Sequence, residues 1–143
     1  MTDLLDDRTS SILGSLPSVD ADEGLLTIRA YDAGGVLVVA LSGEVDLTNH
    51  RVLRAALTRA VAQATGPVVV DLTDLTFCDV RGVAAVLLAG AAAACRGIGF
   101  ALCGMTPVLA RVHQIAFTGP PWTDRPAARY ATTTDALAAL TTR

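Results

Sequence analysis

Seven residues, FCDVRGV (Phe77 to Val83), bring a thiol, a carboxylate and a guanidinium together where an apolar run, VVVDL, gives way to an Ala-rich segment. Strand-to-helix turns of this kind often carry chemistry. Nucleophilic catalysis from Cys78 would need a base and an orienting acid. The chain has two His, His50 at the start of one helical segment and His113 near the end of another, and the spacing brings neither to Cys78. No catalytic residue is therefore assigned. Glu44 and Asp46, two apart after a strand, make a poor acid/base pair and read as turn and cap residues. The chain contains no Lys, so a GxxxxGK[ST] phosphate loop is excluded, and no GxGxxG follows a strand. Cys78, Cys95 and Cys103 form no CxxC pair and have no adjacent His, so no metal site is expected. Cys78 and Cys103 fall near the ends of two neighbouring strands. They read as small buried hydrophobes; the alternative is a redox pair, which needs Cα atoms within about 7 Å.

Period and punctuation define the elements that position these residues. LLTIRA (Leu25 to Ala30) and VLVVALS (Val36 to Ser42), joined by DAGG, read as a hairpin. Leu53, Ala56, Leu57, Ala60, Val61 and Ala64 recur at helical spacing, with Thr48 or Asn49 to cap the start and Gly66 and Pro67 to end it. VVVDL (Val68 to Leu72) is continuous and β-branched, as a central parallel strand is. An Ala-rich helix follows from Val83 to about Cys95, capped by Asp79 and ended by RGIG. FALC (Phe100 to Cys103) is the next strand, and Pro107 opens a helix to about Phe117 that TGPPW breaks. A weak strand around Arg129 to Ala131 and a short helix, DALAAL, capped by Thr133 or Thr134, close the pattern. The order β-β-α-β-α-β-α-(β)-α predicts an α/β fold with VVVDL and FALC parallel and helices over the sheet.

At 143 residues the chain is one domain's worth, and with 52% hydrophobic but only 4% aromatic residues its core must be Ala, Val and Leu. Residues 1–23 carry six acids against one Arg, a net charge of −5, and are expected to be an acidic flexible tail before a domain spanning 24–143. The remainder has 10 Arg against 8 acids, too even a balance for a nucleic-acid surface. No uncharged stretch exceeds 14 residues, too few to span a bilayer, and the apolar clusters of the tail are too interrupted for a signal peptide. A cytoplasmic location with no membrane contact is expected.

Several segments together resemble the STAS domain family (sulfate transporter and anti-sigma factor antagonist). LSGEVDL (Leu41 to Leu47) is similar to the family's G-E-x-D segment, and DLTDLTFCD (Asp71 to Asp79) to its D-L-x-x-L-x-F-x-D stretch. Gly82 matches the Gly that follows, and GMTP (Gly104 to Pro107) leads into a helix as in the family. The resemblance covers about Gly24 to Leu140. It implies an α/β STAS fold, a mixed β-sheet of four to five strands with about four helices.

A lone domain of this kind resembles an anti-sigma factor antagonist. Such a protein is not an enzyme and needs no cofactor. It binds an anti-sigma factor, usually an ATP-binding kinase-type protein, and frees the sigma factor held there. The resemblance places the contact surface at Glu44, Asp46, Asp79, Val80, Arg81 and Gly82. The family's kinase phosphorylates one Ser or Thr in a D-[ST]-x-G pattern, and here Val80 stands at that position, with no hydroxyl. Thr76 is a candidate substitute acceptor; Thr73 and Thr106 are the other neighbouring hydroxyls. Arg81 in a first helical turn opposes the macrodipole, which acids on a partner would offset, or else it lies solvated over apolar surface. Two other readings stand beside this one. The chain could be a STAS subunit of a stress-sensing or lipid-transport complex, or a small-ligand or nucleotide sensor using a helix N-terminus. A homodimer is left open.

Overall fold

A computed structural model describes residues 25–107, 109–111 and 128–141. Within them, β1 (Leu26–Ala33) and β2 (Val36–Val45) are followed by α1 (His50–Gln63), β3 (Val68–Cys78), α2 (Val80–Cys95), β4 (Phe100–Cys103), β5 (Ala128–Tyr130) and α3 (Thr133–Thr141). The strands form one mixed sheet in the order β1-β2-β3-β4-β5, with β1 antiparallel to β2 and every other pair parallel. The expected α/β architecture is thus present, with its fifth strand formed. Helical backbone at Pro107 and 109–111 marks the start of the helix predicted after GMTP, where the Thr106 hydroxyl accepts from Leu109 N at 3.2 Å. The rest of that helix, TGPPW, His113 and the acidic segment 1–23 lie outside the described residues.

The hairpin closes in two residues. Ala33 pairs with Val36, and Gly34 and Gly35 take φ of 63° and 89°, the doubly positive pattern that matches strand twist in a tight turn. Asp32 Oδ1 accepts from Gly35 N at 2.9 Å and fixes the turn. Both β1 and β2 run three residues further than their hydrophobic patterns suggest.

β3 is longer still, 11 residues where VVVDL predicts five. Its second half hides its strand character because Leu72, Leu75 and Cys78 are buried at a period of three. The register explains this. Ala40 pairs with Asp71 but Ser42 with Asp74, and Gly43 pairs with Leu75 but Glu44 with Phe77. Each step inserts one extra residue on β3, and each such bulge returns the next apolar side chain to the same face.

Two apolar layers result. On one face Val39, Leu41, Val68, Val70, Leu72 and Leu102 pack under the inner sides of α1 and α2. On the other, Val36, Val38, Val69, Ala101 and Cys103 meet Ala136 of α3. Strands covered on both faces read as unbroken apolar runs, which is why β2 and the first half of β3 show no alternation.

The helix ends differ in detail from expectation. α1 stops at Gln63, with Ala64 rather than Gly66 at its C-cap. α2 ends as RGIG requires: Gly97 N donates to Ala94 O and Ile98 N to Ala93 O, the paired bonds of a Schellman stop. At α3 it is Thr132, one residue before the expected caps, whose hydroxyl accepts from Asp135 N at 3.1 Å. Thr133 is used otherwise: its hydroxyl donates to Asp71 Oδ2 at 3.1 Å and ties α3 to the middle of β3. Burial raises the Asp71 carboxyl, but hydrogen bonds from the Thr73 hydroxyl and amide and from Thr133 outweigh it and hold the group below the usual carboxylate range.

Candidate functional site

The site is built at the carboxyl end of β2 and β3. Glu44 pairs with Phe77 and Val45 with Cys78, so the loop after each strand leaves from the same edge of the sheet. Asp79 N donates to Val45 O at 3.1 Å and locks the two exits together. Glu44 and Asp46 are thereby brought beside Asp79, Val80, Arg81 and Gly82, which the sequence separates by more than 30 residues.

Asp79 caps α2. Its backbone is extended (φ −78°, ψ 178°), and Oδ1 accepts from Gly82 N at 3.0 Å. The helix begins at once with Val80, so the VRG segment is its first turn rather than a loop before Val83. Gly82 points inward. A Cβ there would sit 2.5 Å from Cys78 Sγ and 2.7 Å from Val45 Cγ1. Only a residue without a side chain lets α2 start this close to β2 and β3. Val80 and Arg81 point outward, and Val80 is 55% exposed. Phe77 (46%) and Leu47 (64%) are also open, so three large apolar side chains surround the acids of the rim.

The loop between β2 and α1 is fixed by a residue whose role the sequence does not reveal. Asn49 stands at the N-cap of α1 but makes no cap bond. Its fully buried side chain turns back instead: Oδ1 accepts from Asp46 N at 2.9 Å and Nδ2 donates to Glu44 O at 3.0 Å. A buried amide in a loop needs such partners. Hydrogen bonds from the hydroxyl and amide of Thr48 hold the Asp46 carboxyl below the usual range. Asp46 thus stays ionised on the rim.

The neighbouring hydroxyls are engaged. Thr76 Oγ1 donates to Gly43 O at 2.9 Å, Thr73 Oγ1 to Asp71 Oδ1, and Thr106 Oγ1 accepts from Leu109 N.

Two of the three thiols are buried in the core. Cys78 is buried against Gly82, and burial, then the nearby Asp79 charge, push its thiol up to about 12, so it holds its proton at neutral pH. Cys103 is also a free buried thiol, raised first by burial. The alternative reading of Cys78 and Cys103 as a redox pair is corrected by the register. Cys103 pairs with Asp71, seven residues before Cys78. That is about 23 Å along a strand, and the two thiols lie in opposite layers of the core. The error came from ending β3 at Leu72. Among the described residues no group of three or more His, Cys, Asp or Glu could hold a metal ion, and no helix is long and apolar enough to cross a membrane.

A mixed sheet with a Gly-tight helix start beside a G-E-x-D strand end defines a class of domain. Residues 29–117 match the family described as "Mlab, STAS domain", and the chain belongs to the STAS domain family. It is 34% identical over 92 residues to Rv2638 of Mycobacterium tuberculosis, whose name is that of an anti-anti-sigma factor; the match spans 62% of this chain and 62% of that protein's length. Among solved structures it is similar to an anti-sigma factor antagonist from Mycobacterium paratuberculosis (27% identity, TM-score 0.64, covering 84% of this chain and 97% of that one). It shares the fold of the Bacillus cell fate determinant SpoIIAA in its phosphorylated form (23% identity, TM-score 0.59, 79% and 98% covered).

Proposed function

We propose that this protein is an anti-sigma factor antagonist: it binds an anti-sigma factor of the ATP-binding kinase type through the rim formed by Glu44, Asp46, Asp79, Val80, Arg81 and Gly82, and so frees a sigma factor. It acts by binding, without a catalytic step of its own. Family membership and the names of its relatives support the class. The observation that carries the particular reading is Val80. It is the first helical residue after the Asp79 cap, it is 55% exposed, and with Phe77 and Leu47 it gives the rim an apolar surface beside its acids. A phosphate there would place about −1.5 to −2 charges between Asp79, Asp46 and the partner. Valine removes that control and offers apolar contact instead. The protein is then an antagonist that its partner cannot switch off at this position.

The test isolates the chain from its own cells and uses a kinase-type anti-sigma factor that co-purifies with it. With ATP, mass spectrometry should find residue 80 unmodified in the native protein and phosphorylated in Val80→Ser. Arg81→Glu should weaken binding at least tenfold while leaving the circular dichroism spectrum unchanged. Undiminished affinity in Arg81→Glu would place the contact elsewhere. A second reading, a STAS subunit of another assembly, is favoured by the Mlab description of the matching family. Co-purification of a membrane transporter subunit in place of a sigma regulator would establish it.

A further inference from the structure

α1 and α2 pack side by side over the same face of the sheet, and their outer sides have an unusual composition. Neither helix contains an acid. α1 presents Arg51 and Arg54 to solvent, and α2 presents Arg81. Beyond Arg81, α2 has no charge at all. Val80, Ala84 and Leu88, one helical turn apart, form an exposed apolar stripe, with Val80 and Leu88 each 55% exposed. The face is therefore apolar along one helix and cationic along its neighbour. It is continuous with the rim at Val80 and Arg81.

Residues 1–23 have the complementary composition: six acids against one Arg, with Leu4, Leu5, Ile12, Leu13 and Leu16 among them. Their point of attachment is specific. Leu26 pairs with Gly43, and Leu25 O accepts from Glu44 N. The chain therefore joins the sheet at the carboxyl end of β2, two strand spacings, or about 10 Å, from the end of β3. A coiled segment of some 20 residues spans about 25 Å between its ends, and α1 is about 21 Å long. A segment of that length is long enough to reach the face from its attachment point, and tethering would supply it at roughly millimolar effective concentration.

We infer that the acidic segment before Leu25 docks on the outer face of α1 and α2, over Arg51, Arg54, Arg81 and the Val80–Leu88 stripe, and competes there with the partner. The competition rests on the reading of the rim as the partner surface; the docking itself does not. A tail that occupies the face three-quarters of the time hides that fraction of the binding-competent protein and weakens apparent partner affinity about fourfold.

The test compares the native chain with a variant whose tail is neutralised (Asp3→Asn, Asp6→Asn, Asp7→Asn, Asp20→Asn, Asp22→Asn, Glu23→Gln). In nitrogen-15 correlation spectra the amides of Arg51, Arg54, Val80, Arg81, Ala84 and Leu88 should differ between the two. Those of Val36, Val69 and Ala101 in the other layer should not. High salt should move the native spectrum toward the variant's. Arg51→Ser with Arg54→Ser, both surface changes, should reproduce the effect from the other side. Identical spectra, or differences spread over both faces, would overturn the docking. Differences that grow with protein concentration would assign the face to a second copy's tail and overturn the intramolecular form. The partner arm is separate: with docking seen, the neutralised variant should bind the anti-sigma factor about fourfold more tightly. Docking with unchanged partner affinity would overturn the competition alone, and docking with no partner binding in either protein would fault the reading of the rim.

Discussion

Gly82 is the tightest point of the rim. Its absent side chain leaves room for Cys78 Sγ and Val45 Cγ1, both part of the core. Gly82→Ala should therefore destabilise the fold by about 1–3 kcal/mol, as overpacking does, although alanine favours helices. Urea denaturation measures this, and a neutral or stabilising result would show that α2 can shift outward at no cost. Asp79 is legible as a cap because capping follows from local chemistry, whereas Gly82 is singled out in the sequence only by the family pattern, and its close packing on Cys78 and Val45 is a tertiary contact. The role of Asn49 is not legible. Its position predicts a cap, and only the fold shows the side chain turned back onto Asp46 and Glu44.

At the scale of elements, α3 is held by the packing of Ala136 and by a side-chain bond to a strand it does not neighbour in sequence. Thr133→Val removes the donor to Asp71 Oδ2, and a hydrogen bond to a charged group contributes about 1.5–3 kcal/mol. Hydrogen exchange should quicken in α3 before it does in α1 or α2. The pH dependence has a definite sign. The folded pKa of Asp71 lies below its unfolded value of about 3.9. Its contribution is complete above that value and is lost as pH falls through the folded pKa. The stability gap between the native protein and Asp71→Asn should thus shrink as pH falls below the unfolded value, followed by urea titration; a constant gap would contradict the assignment. Element order was readable because period and turn residues mark each segment, and FALC matches β4 residue for residue. The length of β3 was not. Bulges depend on the pairing partner, and two of them turned an alternating strand into a period of three that resembles nothing local.

Across the whole molecule, the sheet separates two chemistries that share residue types. Cys78 lies in the layer under α1 and α2, Cys103 in the layer under α3, and Cys95 is exposed at the end of α2. A thiol reagent should label Cys95 alone in the native protein and all three in denaturant, with mass spectrometry counting the adducts. Label on Cys78 or Cys103 in the native protein would mean that the layers open far more readily than their packing implies. The sequence placed both thiols at strand ends and thereby suggested a pair; the register placed them on either side of the sheet.

The strand order carries a kinetic consequence. Neighbours in the sheet are neighbours in the chain, and the parallel pairings β2 with β3, β3 with β4 and β4 with β5 each join residues about thirty apart. Closing each such loop costs nearly the same entropy, since that cost grows only slowly with length. No strand has to hold a place open for one made much later. During synthesis each strand can meet a neighbour already in position, since the exits of β2 and β3 and the helices that follow them precede β4 in the chain.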